Sequence, residues 1–403
     1  MKEIAFNVQW HITEKCQNRC KHCYMFDTDY NDRIKNECTN EERMQILENI
    51  NNFEKKYDVS FQSYTLTGGD PLSCDNWLDL VRIIQKEEKA CYILGIPEHI
   101  NKTNIRLLES LDIKSYQVSL DGMQKTHDAI RGEGSFEKTI QALRELGQSK
   151  IDAGCMYTIH KKNVDEMFSV IQYLNGLETK IHFAFDFLVP IGNGKEISSF
   201  FDKEEAMEIF VKYLDFKEKL EKEGTRLKLH LKNSIFDVLK IKKLSPIDLA
   251  NVPNMGCSCG IAGISILPNG DVLPCRRLPI VVGNLLKDSF EKVFFENELL
   301  RKMRRVEYYL YCKSCYYNKI CRGCPALSWA YTQNPFEKYP YCSVKEISTM
   351  DVKETSLDLD VKDEVAFWME RNGSSDEVKF DAIFKKYKIM LKKAFEEIDD
   401  MQK

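Results

Sequence analysis

The sequence has little of what would mark a low-complexity, secreted or membrane-bound chain. Glycine and proline number only 19 and 11 among 403 residues, too few for a repetitive or disordered polymer. No apolar run reaches the roughly 18 residues of a spanning helix. The start, Met1-Lys2-Glu3-Ile4, leads to Gln9, His11 and Glu14, not to an apolar stretch with a small-residue cleavage site, so no secretory signal is expected. An excess of one charge is missing too: 58 Lys and Arg stand against 62 Asp and Glu, a net charge of −4 with both signs spread along the chain. No basic field is present for nucleic acid or an anionic membrane, and neither is expected as a partner. Hydrophobic residues make up 43% and charged residues 30%, which suits a sizeable core under a soluble surface. At roughly 150 residues per domain the length suggests two to three domains. A cytoplasmic enzyme is expected.

Cysteine, by contrast, is abundant. There are 15, and in a reducing compartment clustered thiols bind metal or do redox work in preference to forming disulfide frameworks. Three sit in Cys16-Gln-Asn-Arg-Cys20-Lys-His-Cys23, and eight crowd between Cys257 and Cys342. Cys38, Cys74, Cys91 and Cys155 are scattered and read as buried thiols. Two separate metal regions are expected.

Apolar and β-branched stretches at 4–13, 61–67, 91–94, 116–120, 151–159 and 181–189 alternate with helical periodicity near 41–57, 76–90, 103–111, 136–148, 163–176 and 202–222. Six βα units imply a parallel sheet with right-handed crossovers, and six in a row favour a barrel or partial barrel. Such folds place their chemistry at the carboxyl ends of the strands. Four unusual loops fall there: the cysteine triplet, Gly68-Gly69-Asp70-Pro71, Ser119-Leu120-Asp121-Gly122, and Pro190-Ile191-Gly192-Asn193-Gly194. His11 and His160 flank predicted strands, as interior polar residues or as catalytic ones.

Three thiolates on so short a loop suit one cubane iron–sulfur cluster and leave its fourth iron open for a ligand. A zinc site would want a fourth ligand, and His22 lies inside the loop. Farther on, Cys257-Ser-Cys259 precedes a hairpin, 264–267 and 271–273, turned by Pro268-Asn269-Gly270. Cys275, Cys312-x2-Cys315-x5-Cys321-x2-Cys324 and Cys342 follow. Eight thiols suffice for two cubanes, and paired C-x2-C motifs equally suit structural zinc.

The C-x3-C-x2-C loop after the first strand, followed by Tyr24, resembles the radical S-adenosylmethionine superfamily. The resemblance implies that Cys16, Cys20 and Cys23 hold a 4Fe–4S cluster and that Tyr24 lies beside the cofactor's adenine. It implies that Gly68, Gly69, Asp70 and Pro71, where the family has Gly-Gly-Glu-Pro, receive the methionine amino group through backbone. Ser119 and Arg131 correspond to the contacts with ribose and methionine carboxylate, and Leu188 to packing on adenine. The second cysteine region resembles the SPASM domain attached to such enzymes, with Gly270-x4-Cys275 matching its signature. Carried across, the family pairing implies one auxiliary 4Fe–4S cluster on Cys257, Cys259, Cys275 and Cys324 and another on Cys312, Cys315, Cys321 and Cys342. The spacing of Cys321 and Cys324 departs from the signature, which has three residues there.

The expected architecture is therefore α/β: a partial (β/α)6 TIM-like barrel over 1–225, a bridging region over 226–255, a small cysteine-rich SPASM domain over 256–345, and a helical tail over 346–403, with a docked helix near 380–401 carrying Phe384, Ile389, Leu391 and Phe395. The resemblance implies reductive cleavage of S-adenosylmethionine to a 5′-deoxyadenosyl radical that abstracts a hydrogen atom from substrate. Enzymes with this domain pair mostly modify peptides, so a ribosomal-peptide maturase that forms thioether or carbon–carbon crosslinks is the first expectation. Peptide epimerisation and sulfatase maturation are the alternatives. Sulfatase-maturing relatives carry an aspartate base after the cysteine of Gly-x4-Cys, and here that residue is Arg276, which with Arg277 suits an acidic peptide or a carboxylate. A non-catalytic electron-relay or zinc protein would not need the open three-cysteine loop. The expected partners are a precursor peptide, a small electron donor such as flavodoxin or ferredoxin, and, because the first strand begins almost at Met1, a separate leader-peptide-binding protein unless the barrel mouth or tail serves.

Overall fold

The computed structural model describes residues 1–25, 30–197, 200–236, 238, 256–318, 320–342, 344 and 360–372. Strands β1 (Lys2–Thr13), β2 (Val59–Gly68), β3 (Ala90–Leu94), β4 (Ser115–Ser119), β5 (Asp152–Ile159), β6 (Ile181–Phe187) and β7 (Leu227–Leu229) pair in parallel, in sequence order. Parallel neighbours need crossovers, and helices Asn40–Tyr57, Trp77–Lys86, Lys102–Ser110, Ser135–Gly147, Met167–Asn175 and Lys203–Glu223 supply them. The two longest begin with capping boxes, Thr39 with Glu42 and Asp202 with Glu205, which satisfy donors that the first turn leaves free.

The six strands expected from the alternating pattern are present, and β7 extends the sheet past residue 225. Three residues are too few to show a period of two. β8 (Gly263–Ile266), β9 (Asp271–Leu273) and β10 (Gly283–Asn284) join the same sheet, with β8 parallel to β1 from Asn7↔Gly263 to Trp10↔Ile266. β8 and β9 form the expected antiparallel hairpin, with Gly270 at φ 84° in the turn. The ten strands run β10-β9-β8-β1-β2-β3-β4-β5-β6-β7, and among the described residues the outer strands do not pair. The result is an open, partial barrel.

β1 shows how the sequence divides the two faces. Ile4, Phe6, Val8, Trp10 and Ile12 are buried on one side, while Asn7 and Gln9 face the barrel interior. Behind the apolar face, Phe6 and Phe61 stack at 4.3 Å, and Phe53, Phe290, Phe294, Phe295 and Trp368 surround them. Phe290 to Phe295 belong to the cysteine-rich region and Trp368 to helix Val361–Asn372, so one core joins all three parts of the chain. That helix is anchored by Trp368 Nε1 donating to the Ile261 carbonyl at 2.7 Å and by Glu364, which is fully buried between Arg304 and Arg305. The sequence pattern placed the tail's helix near 380–401, and that segment, with Phe384, Ile389, Leu391 and Phe395, lies outside the described residues, as does most of the bridging region.

Candidate active site

Cys16, Cys20, Cys23 and Tyr24 lie on the loop leaving β1, and the loops leaving three other strands hold it in place. Gly69 N donates to Thr13 O at 2.8 Å and Asp70 N to Lys15 O at 2.7 Å; Lys21 N donates to Ile130 O at 2.9 Å and Asn193 N to Cys23 O at 3.1 Å. The approaches are close. A Cβ on Gly69 would fall 2.2 Å from Lys15 O, and one on Gly192, whose φ is +53°, 2.5 Å from Tyr24 O. With the Gly69 and Asp70 donors committed to the cysteine loop, the turn offers a ligand its carbonyl acceptors, which suits an ammonium. Asp70 itself is buried and accepts from Ser73 Oγ at 3.0 Å, with His99 Nε2 at 2.9 Å. Its carboxylate braces the turn.

Arg131 reaches the same loop from the segment after β4. Its guanidinium lies 3.6 Å from Cys20 Sγ, 3.4 Å from His22 Nε2, and donates through Nε to the buried Asp121. Burial pushes the Asp121 carboxyl up, but Arg131 and His22 override it and leave it below its ordinary value. Asp121 also accepts from Thr158 N at 2.7 Å, and its own N–H donates to His127 Nδ1 at 3.0 Å. The sequence places Asp121 on the loop after the fourth strand without giving its side chain a role. Its charge shows only once β4 and β5 bring its partners together.

Burial raises the Cys16 thiol to about 12 and lifts Cys20 against the pull of Arg131. Without metal these groups are thiols, and binding a cluster must expel their protons. One buried and two partly buried thiols that line the same cavity beside one guanidinium fit an anionic iron–sulfur cluster.

A cavity of about 1040 Å³ runs down the barrel interior from Cys16, Ser119 and Leu188 toward Ser115, His182 and Gly263. It brings together Cys16, Cys20, Cys23, Tyr24, Gly68, Gly69, Ser119, Arg131 and Leu188, and opposite them Cys257, Cys259, Cys275 and Cys324. Cys312, Cys315, Cys321 and Cys342 instead line a separate cavity of about 20 Å³ with Tyr317 and Tyr339. The electrostatics separate the thiols in the same way. Cys259 hydrogen-bonds to Cys257 and Cys275, lowering both and itself being raised, while Cys312 is raised first by burial and then by Cys321, Cys315 and Cys342. In the second group Cys321 Sγ lies 3.2 Å from Ser234 Oγ and accepts from Gly323 N at 3.4 Å. Gly323, at φ +67°, has no room for a Cβ against Tyr339.

Of the remaining expectations, Cys38, Cys74, Cys91 and Cys155 are buried. His11 is buried with its ring 6.1 Å from Tyr24, and neither ring nitrogen has a hydrogen-bond partner among the described residues. Sequence reasoning missed Lys232, just beyond the unread β7, and Asp186 near the end of β6, which pairs with Arg277 at 2.6 Å.

The order of these loops on a parallel sheet defines a class, and comparison with known proteins agrees. Residues 10–174 match the Radical SAM superfamily model and residues 257–325 the SPASM iron–sulfur cluster-binding domain. The chain belongs to the radical S-adenosylmethionine superfamily, carries a SPASM domain, and is an enzyme of that kind. It is 25% identical over 346 residues to the AdoMet-dependent heme synthase of Methanosarcina barkeri, covering 83% of this chain and 95% of that one. It is also 25% identical over 327 residues to mycofactocin maturase MftC of Mycolicibacterium smegmatis, covering 78% and 76%. In fold it resembles SuiB of Streptococcus suis bound to S-adenosylmethionine, with a TM-score of 0.64 at 15% identity over 84% of this chain and 77% of that one. Among the described residues no helix is long and apolar enough to cross a membrane.

Proposed function

We propose that this enzyme matures a ribosomally made peptide, oxidatively forming a thioether or carbon–carbon crosslink. The observation that carries this reading is the polar inner wall of the barrel. Interiors of closed barrels are filled by Val, Ile and Leu; here Asn7, Gln9, Thr65, Ser115, Gln117 and Ser265 face the cavity. Such groups match the repeating amide donors and acceptors of an extended peptide. The volume, about 1040 Å³, lies at the upper end of the roughly 300–1,000 Å³ of single-ligand pockets, consistent with cofactor and a peptide segment bound together.

Cys16, Cys20 and Cys23 would hold the cluster that supplies one electron to split S-adenosylmethionine into methionine and a 5′-deoxyadenosyl radical. The carbonyls around Gly68 and Gly69 would receive the methionine ammonium. Ser119, Arg131, Tyr24 and Leu188 would fix the rest of the cofactor, with Asp121 orienting Arg131. The Cys257/Cys259/Cys275/Cys324 and Cys312/Cys315/Cys321/Cys342 groups would each hold an auxiliary cluster able to take up the electron a peptide loses on oxidation, and a small electron donor such as flavodoxin or ferredoxin would reduce the Cys16/Cys20/Cys23 cluster. A separate leader-binding protein would present the precursor.

The test is co-expression with the short peptides encoded beside the gene, read by intact-mass spectrometry. The expected product is lighter by two hydrogens, about 2 Da, per modification, because one hydrogen atom, one electron and one proton leave the peptide. An unchanged mass with solvent deuterium at one α-carbon would replace crosslinking by epimerisation. A second reading, a tetrapyrrole substrate, is favoured by the heme synthase similarity. A flat apolar macrocycle would want apolar walls, and a change in an added porphyrin with no change in any peptide would establish it.

A further inference from the structure

We infer that Lys232 and Arg276 form a carboxylate-binding subsite inside the barrel that selects an acidic group close to the carbon being modified; the site stands on its own geometry, and only its occupant's being a peptide rests on the reading above.

Six charged side chains line the cavity: Glu14, Arg131, Asp186, Lys232, Arg276 and Arg277. Four are matched, Glu14 with Arg33 at 3.4 Å, Arg131 with Asp121, and Asp186 with Arg277 at 2.6 Å. Lys232 and Arg276 make no ion pair among the described residues. Among the described residues Lys232 Nζ makes only long hydrogen bonds to neutral acceptors, Gln117 Oε1 at 3.5 Å and Met156 Sδ at 3.6 Å, and the exposed side chain lines the cavity. The Arg276 guanidinium lies 5.9 Å from the centre of the Tyr24 ring, on the side of the cavity where the cofactor's adenine is expected. Two cations facing one space whose described carboxylates, Glu14 and Asp186, are already engaged repel each other, and an anion between them removes that cost. The walls and then Arg276 pull the Lys232 ammonium down to about 8, which leaves it a cation at neutral pH.

A carboxylate fits this pair best. The planar guanidinium accepts it bidentately, and the ammonium adds a point charge without directional demand. Charge balance of an auxiliary cluster explains Arg276 in part, since it helps to lower the neighbouring Cys275. It does not explain Lys232, whose charged neighbours are Arg276, Asp186 and Arg277.

The probe is N-acetyl-L-glutamate N-methylamide, with its glutamine counterpart as control, each titrated by ligand-observed NMR into the anaerobically reconstituted holoenzyme saturated with S-adenosylmethionine. The expected result is at least tenfold preference for the glutamate probe, lost in Lys232→Met and in Arg276→Gln and largely restored in Lys232→Arg. Equal binding of the two probes, binding of neither, or a preference untouched by both substitutions would overturn the subsite. A shifted auxiliary-cluster potential in Arg276→Gln with unchanged preference would also overturn it, reducing Arg276 to charge balance. If the preference holds while no encoded peptide changes mass, the peptide reading falls and the subsite stands.

Discussion

Replacing Gly69 by alanine perturbs the site through backbone alone. The added Cβ would sit 2.2 Å from Lys15 O and 2.5 Å from both Glu14 O and Lys15 C. Ordinary carbon contacts are about 3.5 Å, so the segment must retreat by roughly 1 Å. It cannot retreat freely, because Gly69 N and Asp70 N donate to Thr13 O and Lys15 O across the same junction. Overpacking costs about 1–3 kcal/mol, and losing one of those hydrogen bonds adds about 1 kcal/mol, so a stability loss of about 2–4 kcal/mol is expected in urea denaturation of the metal-free protein. The displaced segment runs directly into Cys16, and a 1 Å misplacement of reacting groups costs about 100-fold in rate. 5′-Deoxyadenosine formation under dithionite should fall by that order. Gly176→Ala is the control: its φ is ordinary and its nearest contact would be 3.4 Å, so activity should be intact and stability within about 1 kcal/mol of the parent. If Gly69→Ala forms 5′-deoxyadenosine within about threefold of the parent rate, the turn does not position the cysteine loop and this coupling is refuted.

Glu364→Gln should destabilise the fold by about 3–5 kcal/mol, since it strips the shared countercharge from the buried Arg304 and Arg305; a urea midpoint close to the parent's would show that helix Val361–Asn372 does not anchor the core. His11 is held down to about 3 by burial and then by Arg276, so the folded state refuses a proton that the unfolded chain accepts below about 6.5. Stability from this group is full above that pH and falls on acidification, by about 2 kcal/mol at pH 5. His11→Gln should lose less stability than the parent between pH 7.5 and 5, and equal losses would contradict a buried neutral imidazole. A Cys16→Ala, Cys20→Ala, Cys23→Ala triple variant should keep about eight of about twelve irons and form no 5′-deoxyadenosine; zinc in place of iron among the remaining thiols would contradict the auxiliary clusters.

What could be read directly from the residues was local. β1 announces itself by alternation from Ile4 to Ile12, the hairpin by Asn269-Gly270, and the site loops by cysteines and glycines that follow strands. Long-range pairing was not legible: nothing in Gly263–Ile266 says that it lies parallel to β1, and Leu227–Leu229 is too brief to stand out. Helix Val361–Asn372 hid because a glutamate, Glu364, occupies its buried face, where a pattern of apolar residues was sought. Within the site, the order of Cys16 through Arg131 was readable because each loop follows its own strand. Lys232 was not, since a lone lysine reads as a solvated charge until the barrel curves round it. The grouping of eight thiols around two cavities likewise came from the family resemblance, because their spacing along the chain interleaves the two sets.

The most direct test of the whole account is the ratio of products in a single anaerobic reaction of reconstituted enzyme, reductant, S-adenosylmethionine and the encoded peptide, quantified by liquid chromatography–mass spectrometry. One 5′-deoxyadenosine should form for each pair of hydrogens the peptide loses, about 2 Da per cofactor cleaved, and replacing Cys315 or Cys342 should abolish the peptide change while some cofactor cleavage persists. 5′-Deoxyadenosine formed in quantity beside a peptide of unchanged mass would contradict oxidative peptide maturation.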